Sequence, residues 1–494
     1  MGIVIKQSIG AAIYSYIGVG LGVVSTLILY PHYLSAEQLG LTMGVMLPLA
    51  SILSNFSMLG TGNAAFYFAS HFKNDTTHQP RFLQYLLRMM VVGLITVSIA
   101  YIVFKPFFAK HYSQHSPLFI QYYWWILPLT IFVTCYNFLE ALVRSQMDIV
   151  FTNFTREVLL RILTICCLLL FILNVFSFHS FVVGFVLVWA ILFLVLLIYS
   201  YKKSWFAWSN STEINSIAQK KEVLFYGLIN VLSGAAWALA SNIDSLMIAK
   251  YVGLADTGIF RLAVFICTVV QVPQRSMTQI LLSLLSEHWK KNEMQKIDEL
   301  YKKSSLQLII AGGFLVMLII INIDSFLKLL PPEYAAAKWV VILLCIARLI
   351  DMATSINGEI IQTSKYYRFN FYLILALLVF TIAANYFLIP GNGIIGAAIA
   401  GMLTVVFFNI IKYLFVWYKL KFQPFTFKSV VALLLALLAG IAAYYIPSFQ
   451  NPFVTIFCKS CVATIVFVIS LTTLKISPEI NEIIFKSISF IRKN

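Results

Sequence analysis

Fourteen apolar stretches, each long enough to cross a bilayer, follow one another along this chain with only short polar breaks between them. A spanning helix needs about 20 mostly apolar residues. Such runs fall near 8–30, 39–59, 84–104, 120–142, 152–174, 178–200, 222–250, 258–284, 305–330, 336–361, 369–389, 394–418, 427–446 and 452–474. Pro31, Pro80, Pro117, Pro331-Pro332 and Pro390 lie between runs and Pro452 opens the last one, where the loss of a helical N–H is harmless. With 61% hydrophobic and 11% charged residues, against roughly 25% charged in a soluble domain, the chain lacks the polar surface to cover itself in water. We therefore expect an all-α integral membrane protein of about 14 transmembrane helices. The first run follows Lys6, is longer than the roughly 7–15 residues of a signal-peptide core, and leads into bulky Tyr30-Pro31-His32-Tyr33, so it reads as a retained helix.

The formal charge of +16 does not point to nucleic acid, because the basic residues cluster in the connections. With the N-terminus placed in the cytoplasm, Lys202, Lys203, Lys220, Lys221, Lys290, Lys291, Lys365, Arg368, Lys419 and Lys421 share its side. Lys105, Lys110, Lys250 and Lys328 are among the few on the other, a bias of about threefold. Both termini are thus expected in the cytoplasm. The seven cysteines sit mostly inside apolar runs and read as small buried residues rather than a disulfide framework. No outer connection carries paired carboxylates or a ligand cluster, which argues against a membrane polymerase, ligase or glycosyltransferase. No cofactor and no resident metal are expected.

A short repeat relates two parts of the chain. Tyr33-Leu-Ser-Ala-Glu-Gln-Leu-Gly-Leu41 aligns with Tyr251-Val-Gly-Leu-Ala-Asp-Thr-Gly-Ile259, each at the junction between the first two helices of a half. The expected organisation is two pseudo-symmetric six-helix bundles, 1–200 and 222–420, joined by a basic linker at 201–221. Two additional helices at 427–474 and an amphipathic tail at 475–494 follow. Parallel repeats of this kind are a transporter architecture, with substrate expected between the halves.

The two Tyr-to-Gly junctions, the Ser57-Met-Leu-Gly-Thr-Gly-Asn-Ala-Ala65 exit from the second run and Asn242-Ile-Asp-Ser-Leu-Met-Ile248 in the seventh resemble the bacterial polysaccharide transporter, or O-antigen flippase, family. That family lies within the multidrug/oligosaccharidyl-lipid/polysaccharide exporter superfamily. The resemblance implies a central cavity and the flipping of undecaprenyl-pyrophosphate-linked oligosaccharide between leaflets of the bacterial inner membrane. It also implies membrane lipids as surroundings, and contacts with polysaccharide-assembly proteins.

Ionisable groups inside a span are costly and mark functional candidates. Arg348, Asp351, Ser355, Glu359 and Gln362 form one stripe in the tenth run. Tyr226, Asn230, Ser233, Trp237, Ser241 and Asp244 form another in the seventh. Arg275 and Gln279 share a face in the eighth, as do Asn137, Glu140 and Arg144 in the fourth. Two readings stand. In one, Arg275 and Arg348 meet a pyrophosphate through charge-assisted hydrogen bonds, with Trp237, Tyr226, Asn230, Asn137 and Gln279 against the sugars. Asp244, Asp351, Glu359 and Glu140 then exchange H+ or Na+. In the other, the charges neutralise one another within helix–helix contacts. Arg144 and Arg261, near run ends, are explained by snorkelling to the interface. A cation-coupled multidrug antiporter and a peptidoglycan-precursor flippase remain alternatives, although several arginines favour an anionic cargo.

Overall fold

A computed structural model describes residues 2–62, 64–65, 78–146, 148–203 and 217–477. Among them every regular element is helical, and the principal helices are α1 (Ile13–Tyr33), α2 (Ala36–Ser57), α3 (Phe82–Val103), α4 (Tyr123–Ser145), α5 (Leu160–Ile172), α6 (Phe178–Lys202), α7 (Ile217–Tyr251), α8 (Leu254–Lys290), α9 (Met294–Leu327), α10 (Ala337–Ala353), α11 (Asn357–Thr363), α12 (Tyr367–Leu420), α13 (Phe427–Tyr444) and α14 (Pro452–Thr473). The linker at 204–216 and the tail from 478 lie outside the described residues.

Ten described helices are long and apolar enough to cross a membrane, eleven if the bent pair α10–α11 counts as one. The expected fourteen is not reached by this measure, for identifiable reasons. α5 is short, the stretch leading into it carries Arg156 and Glu157, and its own first turn carries Arg161. The side chains of much of the first half of α7 lie outside the described residues, and α12 joins two expected runs into 54 helical residues. α12 is not one rod: Gly393 stands at φ 54°, ψ −134° three residues after Pro390, a backbone open to glycine.

The surface is the inverse of a soluble bundle. Val92, Ile95, Ile99 and Val103 of α3 are all exposed, at helical spacing along one face. A face this apolar is stable only against lipid tails, so helix association rests on close packing and buried hydrogen bonds. Tyr101 of α3 and Tyr123 of α4 show both. Each hydroxyl donates to the other's backbone carbonyl, at 2.9 and 2.7 Å, while the rings stack 4.3 Å apart.

The chain divides into two compact units, Met1–Arg261 and Leu262–Asn494. In the first, α1 and α2 each widen into a π-helical stretch, Val23–Leu29 and Gly40–Met46, ending two residues before Pro31 and Pro48. A proline inside a helix clashes with the carbonyl one turn back, and a wider turn relieves the clash. The two copies of the repeat meet in this unit. A Cβ on Gly40 would stand 1.8 Å from Leu254 O, and one on Gly258 would stand 2.1 Å from Ala36 O. The matching position in each copy is therefore glycine for one reason: the two backbones touch there.

The second unit packs α9 against α10, α13 and α14, and α12 against α10 and α11. Small residues Ala432, Ala436, Ala439 and Ala443 of α13 form part of the core with Ile310 and Met317 of α9.

Candidate functional site

Two polar networks are built into the apolar interior, one in each unit. In the first, Glu140 of α4 is 4% exposed. Arg144 NH2 stands 2.8 Å from its Oε1, and Arg156 NH1 donates to its Oε2. Arg156 reaches it from a π-helical stretch, Phe154–Leu159, just before α5. Arg144 continues to Thr152 Oγ1 through Nε and to Asn153 Oδ1 through NH2. Asn137 Nδ2 donates to Ser54 Oγ of α2 at 3.1 Å. Arg144 is thus held by three partners, Glu140, Thr152 and Asn153.

Arg261 is likewise held inside. Its Nε donates to Met43 O at 3.0 Å. Pro48, five residues on, has no N–H to offer that carbonyl across the π turn. The guanidinium also feels the charge of Asp244. Trp237 of α7 is exposed. The side chains of Tyr226 and Asn230 lie outside the described residues, as does that of Gln279.

In the second unit the stripe expected on one helix face is interrupted. α10 ends at Ala353, Ser355 stands at φ 52°, and α11 restarts at Asn357, bent by 46°. Asp351 therefore sits on one side of the break and Glu359 on the other. Asp351 Oδ1 accepts from Asn409 Nδ2 at 3.0 Å, and its Oδ2 accepts from Gln274 Nε2 at 3.4 Å. Asn409 Oδ1 in turn accepts from Thr354 Oγ1 at 2.8 Å and Asn357 Nδ2 at 3.5 Å. Ser355 Oγ donates to Ser304 Oγ of α9. Arg348, one turn before Asp351, is half-buried and close enough to feel Cys267, while Arg275 is exposed.

Sequence reasoning passed over two members of these networks. Lys412 of α12 is buried, packs over the Phe408 ring at 4.4 Å, and is coupled by charge to Asp351 and Glu359. Its signal was the pair Asn409 and Lys412, one turn apart in an otherwise apolar run. Arg156 had a comparable signal, a charge five residues before Arg161 within the fifth run. Among the described residues no three His, Cys, Asp or Glu side chains converge as a metal site.

A profile of the family described as polysaccharide biosynthesis protein matches residues 5–282. The capsular polysaccharide biosynthesis protein CapF of Staphylococcus aureus is 24% identical over 186 residues, 37% of this chain. The chain spans about half the length of that curated relative, 47%. Among solved structures, the lipid II flippase MurJ in an inward closed conformation superposes with a TM-score of 0.75 at 13% identity. That match covers 94% of this chain and 99% of the other. An inward-facing multidrug resistance MATE family transporter of the MOP superfamily superposes with a TM-score of 0.63 at 15% identity, covering 83% and 94%. At these identities the structural likenesses establish the fold.

Proposed function

The chain belongs to the polysaccharide biosynthesis protein family, and from that premise we propose that it flips a lipid-linked oligosaccharide across the bacterial inner membrane. The cargo is an undecaprenyl-pyrophosphate-linked repeat unit, moved from the cytoplasmic to the periplasmic leaflet by alternating access. The observation that carries this reading is the family match together with a fold shared with a protein named as a lipid II flippase. Lipid II flippase and MATE transporter are transport proteins, and the reading places this chain with them rather than with enzymes.

The chemistry of the cargo asks for cations. A pyrophosphate carries its charge on oxygens that match the planar fork of a guanidinium, and Arg275 and Arg348 are the proposed contacts. Trp237 and Asn137, with Tyr226, Asn230 and Gln279, are proposed against the sugars, where aromatic faces and amides suit a polar ring. Asp244, Asp351, Glu359 and Glu140 are the proposed ion-exchanging carboxylates. The two bundles at 1–200 and 222–420 are proposed as the moving bodies.

Reconstitution tests the reading. Undecaprenyl-pyrophosphate oligosaccharide is placed on one leaflet of vesicles containing the protein. The rate at which a membrane-impermeant glycosidase gains access to the sugars is compared with protein-free vesicles. Faster access is expected, and Arg275→Ala or Arg348→Ala should abolish it at normal protein levels. Transfer no faster than in empty vesicles, with drug efflux in a parallel preparation, would favour the multidrug reading that the MATE-like fold also accommodates.

A further inference from the structure

The break between α10 and α11 is buried, with Thr354, Ser355 and Asn357 all inside the protein. Non-helical backbone at membrane depth persists where protein or a polar site satisfies it, and broken helices are a recurring way to build an ion site in a transporter. Here the break gathers more than hydrogen-bond partners for itself. Asp351 and Glu359 flank it, and Lys412 reaches it from α12, its Nζ 3.9 Å from where a Cβ on Gly358 would stand and within range of the charge of both carboxylates. Asn357, 0% exposed, keeps its Oδ1 without a hydrogen-bond partner. An unpaired buried acceptor costs on the order of 1–3 kcal/mol, and this one lies at the break, two residues before Glu359.

Two carboxylates and one ammonium leave a single negative charge, which one proton removes. We propose that Asp351, Glu359 and Lys412 form a proton-loading site in which Lys412 supplies, from the chain itself, the positive charge a bound metal cation would otherwise bring. Among the described residues, the other ionisable groups near this cluster are these. Arg348 precedes Asp351 on α10 with its guanidinium near Cys267, and Tyr301 of α9 lies within range of Glu359 and Tyr413. Arg275 follows Gln274 on α8 and is exposed. Without Lys412 the site would hold two negative charges and several amide and hydroxyl oxygens, a donor set suited to a hard monovalent cation. This deepens the transport reading and rests on it only for the use made of the proton. Occupancy of the site stands apart from any cargo.

The test uses the full chain in lipid nanodiscs. Thermal unfolding is measured in sodium chloride and in choline chloride for the wild type, Lys412→Met and Lys412→Arg. Infrared difference spectra between acid and neutral pH report a protonated carboxyl in the wild type, Glu359→Gln and Asp351→Asn. The wild type and Lys412→Arg should unfold at the same temperature in both salts, whereas Lys412→Met should gain a sodium-dependent rise. A carboxylic-acid band should titrate in the wild type and disappear in at least one carboxyl variant. Sodium stabilisation of the wild type, or a band untouched by both carboxyl substitutions, would overturn the proposal. Should Lys412→Met fail to fold, the wild-type salt comparison and the infrared band still decide it. A negative flipping assay with these results intact would remove the cargo assignment and leave the proton site.

Discussion

A carboxylate inside a membrane protein is tolerable when opposite charge reaches both of its oxygens, and Glu140 has Arg144 at one and Arg156 at the other. Removing it leaves two guanidiniums facing each other in a partly desolvated site. Breaking a fully buried pair on one side costs roughly 3–5 kcal/mol. Because the arginine side chains are 34% and 44% exposed, Glu140→Ala should cost less, about 2 kcal/mol. Glu140→Gln, which keeps one acceptor oxygen, should cost less again. Thermal unfolding in nanodiscs would rank the three. A wild-type melting temperature for Glu140→Ala would mean that the arginines find other partners without loss. At this scale the sequence was partly legible. Glu140 and Asp351 stand out because an acid in an apolar run is rare, but their partners Arg156, Asn409 and Lys412 lie on other helices. Period and spacing describe one helix face, and they are silent about which faces meet.

Among the elements, the junction repeat gives the sharpest expectation. Gly40 and Gly258 stand where any Cβ would press on backbone atoms, which have no rotamer to yield. Gly258→Ala should therefore lower the melting temperature markedly and reduce the amount of protein in the membrane. Gly20 lies on an exposed face of α1, where a Cβ would meet nothing within 4 Å. Gly20→Ala should be neutral or stabilising by up to about 1 kcal/mol, the helix-propensity difference. Equal tolerance of both substitutions would show that the two junctions can separate freely. Gly393→Ala belongs with Gly258→Ala, since its positive φ costs about 1–3 kcal/mol for a side-chain-bearing residue, measurable in the same melts. The repeat was readable as a pattern. The contact between its copies was not, because a short run of similarity carries no information on where two backbones touch. The continuous tenth-run stripe misled for a related reason: period alone cannot foresee a break, and Thr354-Ser355 contains neither proline nor glycine to mark one.

For the molecule as a whole, the open structural quantity is the number of crossings, and its parity is a physical observable. At about 1.5 Å per residue, the 54 residues of α12 would run to about 80 Å, well beyond a hydrocarbon core of about 30 Å. The interruption at Gly393 gives it a place to turn, so we count it as two crossings. α5, with the π-helical stretch before it, and α7 fall outside the ten, and both carry charge within their apolar runs. Yet Arg156 has its partner inside the protein, and Asp244 lies within range of buried Arg261, so neither need face lipid. Counting α12 twice and restoring α5 and α7 to the eleven would give the expected fourteen, an even number that would bring the end of α14 back to the side of the N-terminus. From the lysine and arginine bias we expect that side to be the cytoplasm. Fusions after Lys203 and at the C-terminus should then both make green fluorescent protein glow and leave alkaline phosphatase inactive. A fusion in the 446–451 connection should do the reverse. Active phosphatase at the C-terminus with a fluorescent fusion after Lys203 would require an odd number of crossings beyond α6, and one of α7, α12 or the α10–α11 pair would then have to be recounted.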